Sequence, residues 1–132
     1  METQQILAVL AATVASFVLS AAYYGALADQ LVAARGGVAD GEQPSTAPWK
    51  MAVEVLRGLV LAVVLAEVLD RAGVAGVPGA LGVGLLLWVG FPVVLWSGAL
   101  LWEATRPGFA ALHAGDWLLK LLVLPTVLVL VA

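Results

Sequence analysis

Residues Pro78–Lys120 read PGALGVGLLLWVGFPVVLWSGALLWEATRPGFAALHAGDWLLK. From Pro78 to Trp102 there is no charged side chain, and a run of this length is about enough to cross a ~30 Å hydrocarbon core as a helix. The run ends in Glu103, turns at Arg106-Pro107-Gly108, and re-enters apolar sequence that carries Asp116 and Lys120. This is the pattern of a transmembrane hairpin with a polar end. It sets the solvent in which the rest of the chain must fold.

The whole composition agrees. The chain has 132 residues, 63% hydrophobic and 11% charged, with a mean hydropathy of +1.06, far from an ordinary soluble domain. It reads as a single integral membrane domain over 1–132, whose first partner is the lipid bilayer. The formal charge of −3 is small and the basic residues are scattered, without the clustered Lys/Arg footprint of nucleic-acid binding. The absence of cysteine excludes disulfides, thiolate metal sites, iron–sulfur clusters and a cysteine nucleophile. A single histidine, His113, excludes a multi-histidine metal site within one chain.

The expected fold class is all-α: a four-transmembrane-helix bundle with antiparallel neighbours and two short hairpins. The helices are expected at about residues 5–34, 48–71, 78–103 and 110–131, with a loop over 35–47. The first apolar run is Ala-rich, but no Lys or Arg precedes Arg35, so it lacks the basic n-region of a signal peptide and reads as a retained helix. Along it Ala8, Ala12, Ser16 and Ser20 recur every four residues, a stripe of small side chains that lets a second helix approach closely. Tyr23 and Tyr24 fall where that helix leaves the hydrocarbon. Arg35-Gly36-Gly37 reads as a helix C-terminus, because glycine takes the left-handed cap conformation, and Ser45 or Thr46 is placed to cap the second helix.

In the second helix Glu54 and Arg57 are three apart and share a face, and Glu67, Asp70 and Arg71 mark its other end. In the third, Gly90 and Gly98 lie eight apart and are expected to form a close-approach groove. Pro92 removes an N–H and frees the Trp88 carbonyl. In the fourth, Asp116 and Lys120 form an intrahelical pair with the acid N-terminal, and Pro125 frees the Leu121 carbonyl. Trp49, Trp102 and Trp117 read as an interfacial belt. Trp88 and Trp96 share a face of the third helix, and their indole N–H groups are expected to bond Ser97 or the carbonyls freed by the prolines.

Alternating helices bring Tyr24, Glu54, Arg57, Glu103, His113, Asp116 and Lys120 to one side of the membrane. Two readings of this cluster stand side by side. In one, Glu54 with Arg57 and Asp116 with Lys120 are neutralised pairs that glue helices together, as in an interaction or structural membrane subunit. In the other they line a cavity for a small polar solute or a proton relay, which in a chain this small calls for a homodimer. No Ser-His-acid spacing, metal motif or cofactor fingerprint is present, and Gly82-Val83-Gly84 lacks the strand that a phosphate loop needs. No catalytic, cofactor or metal residues are therefore assigned. Five of the six basic residues lie on the side of the two hairpin loops, so loops 35–47 and 104–109 are expected to be cytoplasmic and both termini outside the cell membrane.

Several of these segments together resemble the DUF1761 family of small bacterial membrane proteins. The resemblance lies in Tyr23-Tyr24-Gly25 at the end of helix one, Leu87-Trp88-Val89-Gly90-Phe91 in helix three, Glu103, Arg106 and Pro107 after it, and Ala114-Gly115 with Trp117 opening helix four. The chain departs from the family in having His113 ahead of Ala114-Gly115, where Asn is frequent, and Asp116 after it. The resemblance implies a four-helix membrane fold and no particular activity.

Overall fold

The computed structural model describes residues 2–36 and 47–132. Those residues are all-helical. α1 spans Thr3–Ala26, α2 Ala28–Ala34, α3 Pro48–Arg71, α4 Val77–Trp88, α5 Val94–Trp102 and α6 Pro107–Val131. α4 and α5 form one continuous rod, joined by a π-helical turn over Val89–Val93. Pro92 sits inside this turn, buried. It cannot donate to the carbonyl four residues back, and a widened turn is a common way for a helix to absorb that loss.

The single helix expected over 5–34 is interrupted at Leu27, whose φ of −107° and ψ of 22° leave the helical region. The break follows Gly25, and glycine weakens a helix by about 0.5–1 kcal/mol relative to alanine. α2 then ends at Gly36, with φ +90°, the left-handed conformation expected of a glycine cap. The expected cap at Ser45 or Thr46 lies outside the described residues; α3 begins with Ala47 at the cap position and Pro48 in the first turn, where its missing N–H costs nothing.

α6 is the central helix. It runs antiparallel to α1: the Gln4 side chain donates to the Val131 carbonyl at one end, and the Tyr23 hydroxyl donates to the Leu112 carbonyl at the other, 2.7 Å. It is also antiparallel to the α4–α5 rod, because Gly84 meets Leu121 while Trp96 stacks on His113. α3 packs antiparallel to α1, with Ser16 against Gly58 and Gln5 near Leu69 and Asp70. Leu65, Leu124 and Pro125 are the largest fully buried side chains of this core. Between α3 and the α4–α5 rod lies an apolar groove of about 720 Å³.

The small-residue stripe does what its spacing predicts. Ala8, Ala12, Ser16 and Ser20 are all buried, while Val18 on the other face is exposed. The glycine groove expected on the third helix does not form at Gly90 and Gly98, where an added Cβ would meet nothing within 4 Å. The close approach is at Gly84, whose added Cβ would overlap the Leu121 carbonyl. The rod presents Ala80, Gly84, Trp88 and Pro92 to α6, a line four residues apart, and Gly90 lies off that line, exposed on the groove beside α3.

Among the described residues three helices are long and apolar enough to cross a membrane: Thr3–Ala26, Val77–Trp102 and Pro107–Val131. α3 is as long as α1, at 24 residues, but it carries Lys50, Glu54, Arg57, Glu67, Asp70 and Arg71. Much of the outer surface is aliphatic, with Val14, Leu86, Leu95, Leu101 and Leu130 among the exposed residues. A surface of this kind suits a hydrocarbon solvent.

Candidate functional site

The last turns of α1 and the first turns of α3 and α6 meet at one end of the molecule. Asp116, on α6, is its centre. It accepts a hydrogen bond from Ser20 Oγ of α1 at 2.7 Å, and its other oxygen lies 3.0 Å from Lys120 Nζ, one turn along α6. Lys120 in turn lies 4.0 Å from Glu54 Oε1 of α3, and Glu54 Oε2 accepts from Arg57 Nη1 at 2.6 Å. The two pairs read from the sequence are thus joined into one chain that runs Ser20, Asp116, Lys120, Glu54, Arg57 across three helices.

Exposure grades along this chain. The Asp116 and Lys120 side chains are 4% and 7% exposed, Glu54 33% and Arg57 60%. An isolated buried charge costs several kcal/mol, so the inner pair is stable only because each partner has the other and a further contact. For Asp116 that contact is Ser20. For Lys120 it is the face of Trp117, whose ring centroid lies 5.0 Å from Nζ, a cation–π distance. Trp117 is therefore half-buried over the lysine and packed on the core, not part of an interfacial belt. Trp49 and Trp102 are 65% and 87% exposed.

A second group of contacts adjoins the first. The Tyr24 hydroxyl and His113 Nδ1 are hydrogen-bonded at 2.7 Å. The His113 ring stacks on Trp96 at 5.1 Å, 11° from parallel, and meets the edge of Phe109 at 4.4 Å. His113 Nε2 and Trp96 Nε1 are both buried without a hydrogen-bond partner among the described residues. The other shared-face indole, Trp88, donates to the Ala114 carbonyl at 2.8 Å. Neither Ser97 nor a proline-freed carbonyl serves it: Ser97 bonds Val94, and the Leu121 carbonyl freed by Pro125 is covered by Gly84.

Glu103 is not brought to the cluster. It caps the end of α5, exposed, and its side chain has no hydrogen bond or ion pair among the described residues. Two contributors escaped the sequence reading. Ser20 appeared there only as a small packing residue, although its hydroxyl was a signal of a polar partner. Arg35, at the end of α2, lines the same recess of about 370 Å³ as Tyr24, Glu54, Arg57, Asp116 and Lys120. Among the described residues no group of three His, Asp or Glu side chains is placed to hold a metal ion.

A family model for DUF1761, described as a protein of unknown function, matches residues 7–129. The chain belongs to the DUF1761 family. The match takes in every residue of the cluster, from Ser20 to Lys120. Comparison with curated proteins and with solved structures finds no match. Within the fold, the DUF1761-like segments meet at the opening of α6: Tyr24 through His113, and Trp88 through Ala114.

Proposed function

We propose that this chain is a non-enzymatic, four-span membrane subunit in which the Ser20–Asp116–Lys120–Glu54–Arg57 chain is an interhelical tether. The observation that carries this reading is the position of Asp116. A buried carboxylate that binds α1 through Ser20 and, through Lys120, faces Glu54 of α3 links the three helices by charge-assisted contacts.

α3 is the fourth span in this reading. Gln4 bonds Val131, and Asp70 shares a recess with Gln5 and Ala132, so these residues define one level at the far end. From that level to the cluster is about 24 Å along α1 (Gln4 to Ser20), about 24 Å along α3 (Asp70 to Glu54) and about 23 Å along α6 (Val131 to Asp116), at 1.5 Å per residue. The three helices agree, and the cluster then lies about 6 Å inside the near boundary of a ~30 Å core. Arg57 is long enough to snorkel from that depth. At the far end Arg71 pairs with Glu67 at 2.6 Å, which neutralises both near the other interface. The excess of basic residues on the cluster side supports a cytoplasmic placement of that side in this reading.

A second reading, a site for a small polar solute or a proton path in a homodimer, is favoured by one observation: the recess beside the tether also takes in Arg35, which has no ion pair among the described residues. Stability and growth or flux assays on two variants separate the readings. Asp116→Asn leaves Lys120 buried without its close partner, for which about 3–5 kcal/mol of destabilisation is expected. Asp116→Asn with Lys120→Met removes the stranded charge and should recover much of that loss. A tether predicts a double variant that is folded and behaves normally, whereas a solute or proton site predicts one that is folded and inactive. If Asp116→Asn leaves stability unchanged, the tether is wrong.

A further inference from the structure

Four helices border the recess of about 370 Å³ beside the tether: α1 and α6 line it along their polar turns, α3 brings Glu54 and Arg57, and α2 adds Leu31 and Arg35. Pockets that hold small molecules run from about 300 to 1,000 Å³, so this one suits a metabolite-sized ligand and is too small to enclose a phospholipid.

Its polar lining is unbalanced in one direction. Both carboxylates are fully engaged: Asp116 accepts from Ser20 on one oxygen and faces Lys120 on the other, and Glu54 faces Lys120 on one oxygen and Arg57 on the other. A ligand ammonium group would find no free acceptor among them. The cations are not used up. Arg57 spends one guanidinium nitrogen on Glu54 and is 60% exposed, and Arg35 has no ion pair among the described residues. Arg35, Arg57 and Lys120 stand against Glu54 and Asp116, three charges against two, so the described lining carries one positive charge in excess with His113 neutral. One excess charge fits a monovalent anion, and the planar guanidinium fork of arginine matches a carboxylate. The rest of the recess is apolar, with Phe17, Leu31 and Met51 on its walls. It would take an uncharged stem, not a second anionic group.

We infer that this recess binds a small monocarboxylate with a short apolar stem, its carboxylate at the Arg35 guanidinium and its stem against Phe17, Leu31 and Met51. The inference rests on the solute reading given above and names the class of solute. The Ser20–Asp116–Lys120 contacts of the tether stay in place when the recess is filled, because the ligand uses the charge that the tether leaves over.

The test uses the full chain in neutral detergent. Butyrate, its neutral isostere butyramide, butylamine and inorganic phosphate are titrated separately, with binding heat and thermal midpoint as readouts. Butyrate should bind at least about tenfold more tightly than butyramide, the ratio that corresponds to one charge-assisted hydrogen bond. Arg35→Gln should remove that preference without lowering the midpoint of the unliganded protein, since Arg35 is exposed and unpaired among the described residues. Arg71→Gln, an equal loss of charge at an exposed site near the far end, should keep it. A short aliphatic carboxylate bearing a diazirine on its stem should label the Phe17–Tyr24 and Leu31–Arg35 peptides of the unaltered protein, and butyrate should compete the label away; this readout depends on no variant.

Equal binding of butyrate and butyramide, or a full butyrate preference in Arg35→Gln, overturns the inference. So does inorganic phosphate binding as tightly as butyrate, which would make this a general anion site, or stoichiometric phosphatidylglycerol displacing the label, which would make a lipid headgroup the occupant. The two levels of failure are distinguishable. If butyramide or butylamine binds as well as butyrate and competes for the label, the solute reading stands and only the anionic class is wrong. If no probe binds and no peptide is labelled, the solute reading itself is wrong.

Discussion

Replacing Gly84 by alanine tests the tightest helix contact in the molecule. A Cβ built on Gly84 overlaps the Leu121 carbonyl oxygen and lies 2.8 Å from the carbonyl carbon. The obstacle is backbone, so no side-chain rotation relieves it. Carbon atoms prefer about 3.5–4.0 Å and the oxygen is nearer than the carbon, so α4 and α6 must separate by at least about 1 Å, a gap that forfeits about a quarter to a half or more of the attraction between the facing atoms. Overpacking of this kind costs about 1–3 kcal/mol. Alanine also gains about 0.8–1.0 kcal/mol of helix propensity over glycine, which offsets part of the cost. Gly82 is the internal control, because an added Cβ there meets nothing within 4 Å and only the propensity gain applies. The expected result, by reversible unfolding in mixed detergent micelles, is a Gly84→Ala variant less stable than Gly82→Ala by about 1–3 kcal/mol. Equal stability of the two variants would refute the close approach of α4 to the Leu121 carbonyl.

Ser16→Leu should destabilise the protein by about 1–3 kcal/mol, because Ser16 is buried where Gly58 approaches it, whereas Val18→Leu on the exposed face should change little; the comparison fails if both variants melt together. Trp88→Phe should cost about 0.5–1.5 kcal/mol through loss of the bond to the Ala114 carbonyl, and an unchanged midpoint would remove that bond from the account of the fold. Asp40→Cys should react with a membrane-impermeant thiol reagent only after cells are opened, and labelling of intact cells would invert the proposed topology.

Much of the candidate site was legible in the sequence because its pairs are local. Asp116 with Lys120 and Glu54 with Arg57 are i,i+4 and i,i+3 partners, and helix geometry alone puts each pair on one face. Their union was not local. It depends on how far α3 and α6 are rotated about their axes, which brings Lys120 within 4.0 Å of Glu54. Glu103 shows the opposite outcome: it ends its helix at the expected side of the molecule, yet the rod that carries it packs on α6 away from α3. Arg35 was missed because its place beside the cluster depends on the break at Leu27 and the course of α2 after it.

Composition and period determined the helical class, the presence of helices long and apolar enough to cross a membrane and the small-residue face of α1, since each follows from properties carried along a single helix. Gly82, Gly84, Gly90 and Gly98 are alike in composition, and helical spacing alone favoured the wrong pair. Only the packed structure distinguishes Gly84, because the choice is made by the partner surface on α6, where the Leu121 carbonyl stands against the line from Ala80 to Pro92. The same holds for Trp117, whose sequence position suited an interfacial belt as well as a place over Lys120. A side chain's distance from the helix end sets its depth in the bilayer; whether it faces lipid or protein is set by neighbours far away in the chain.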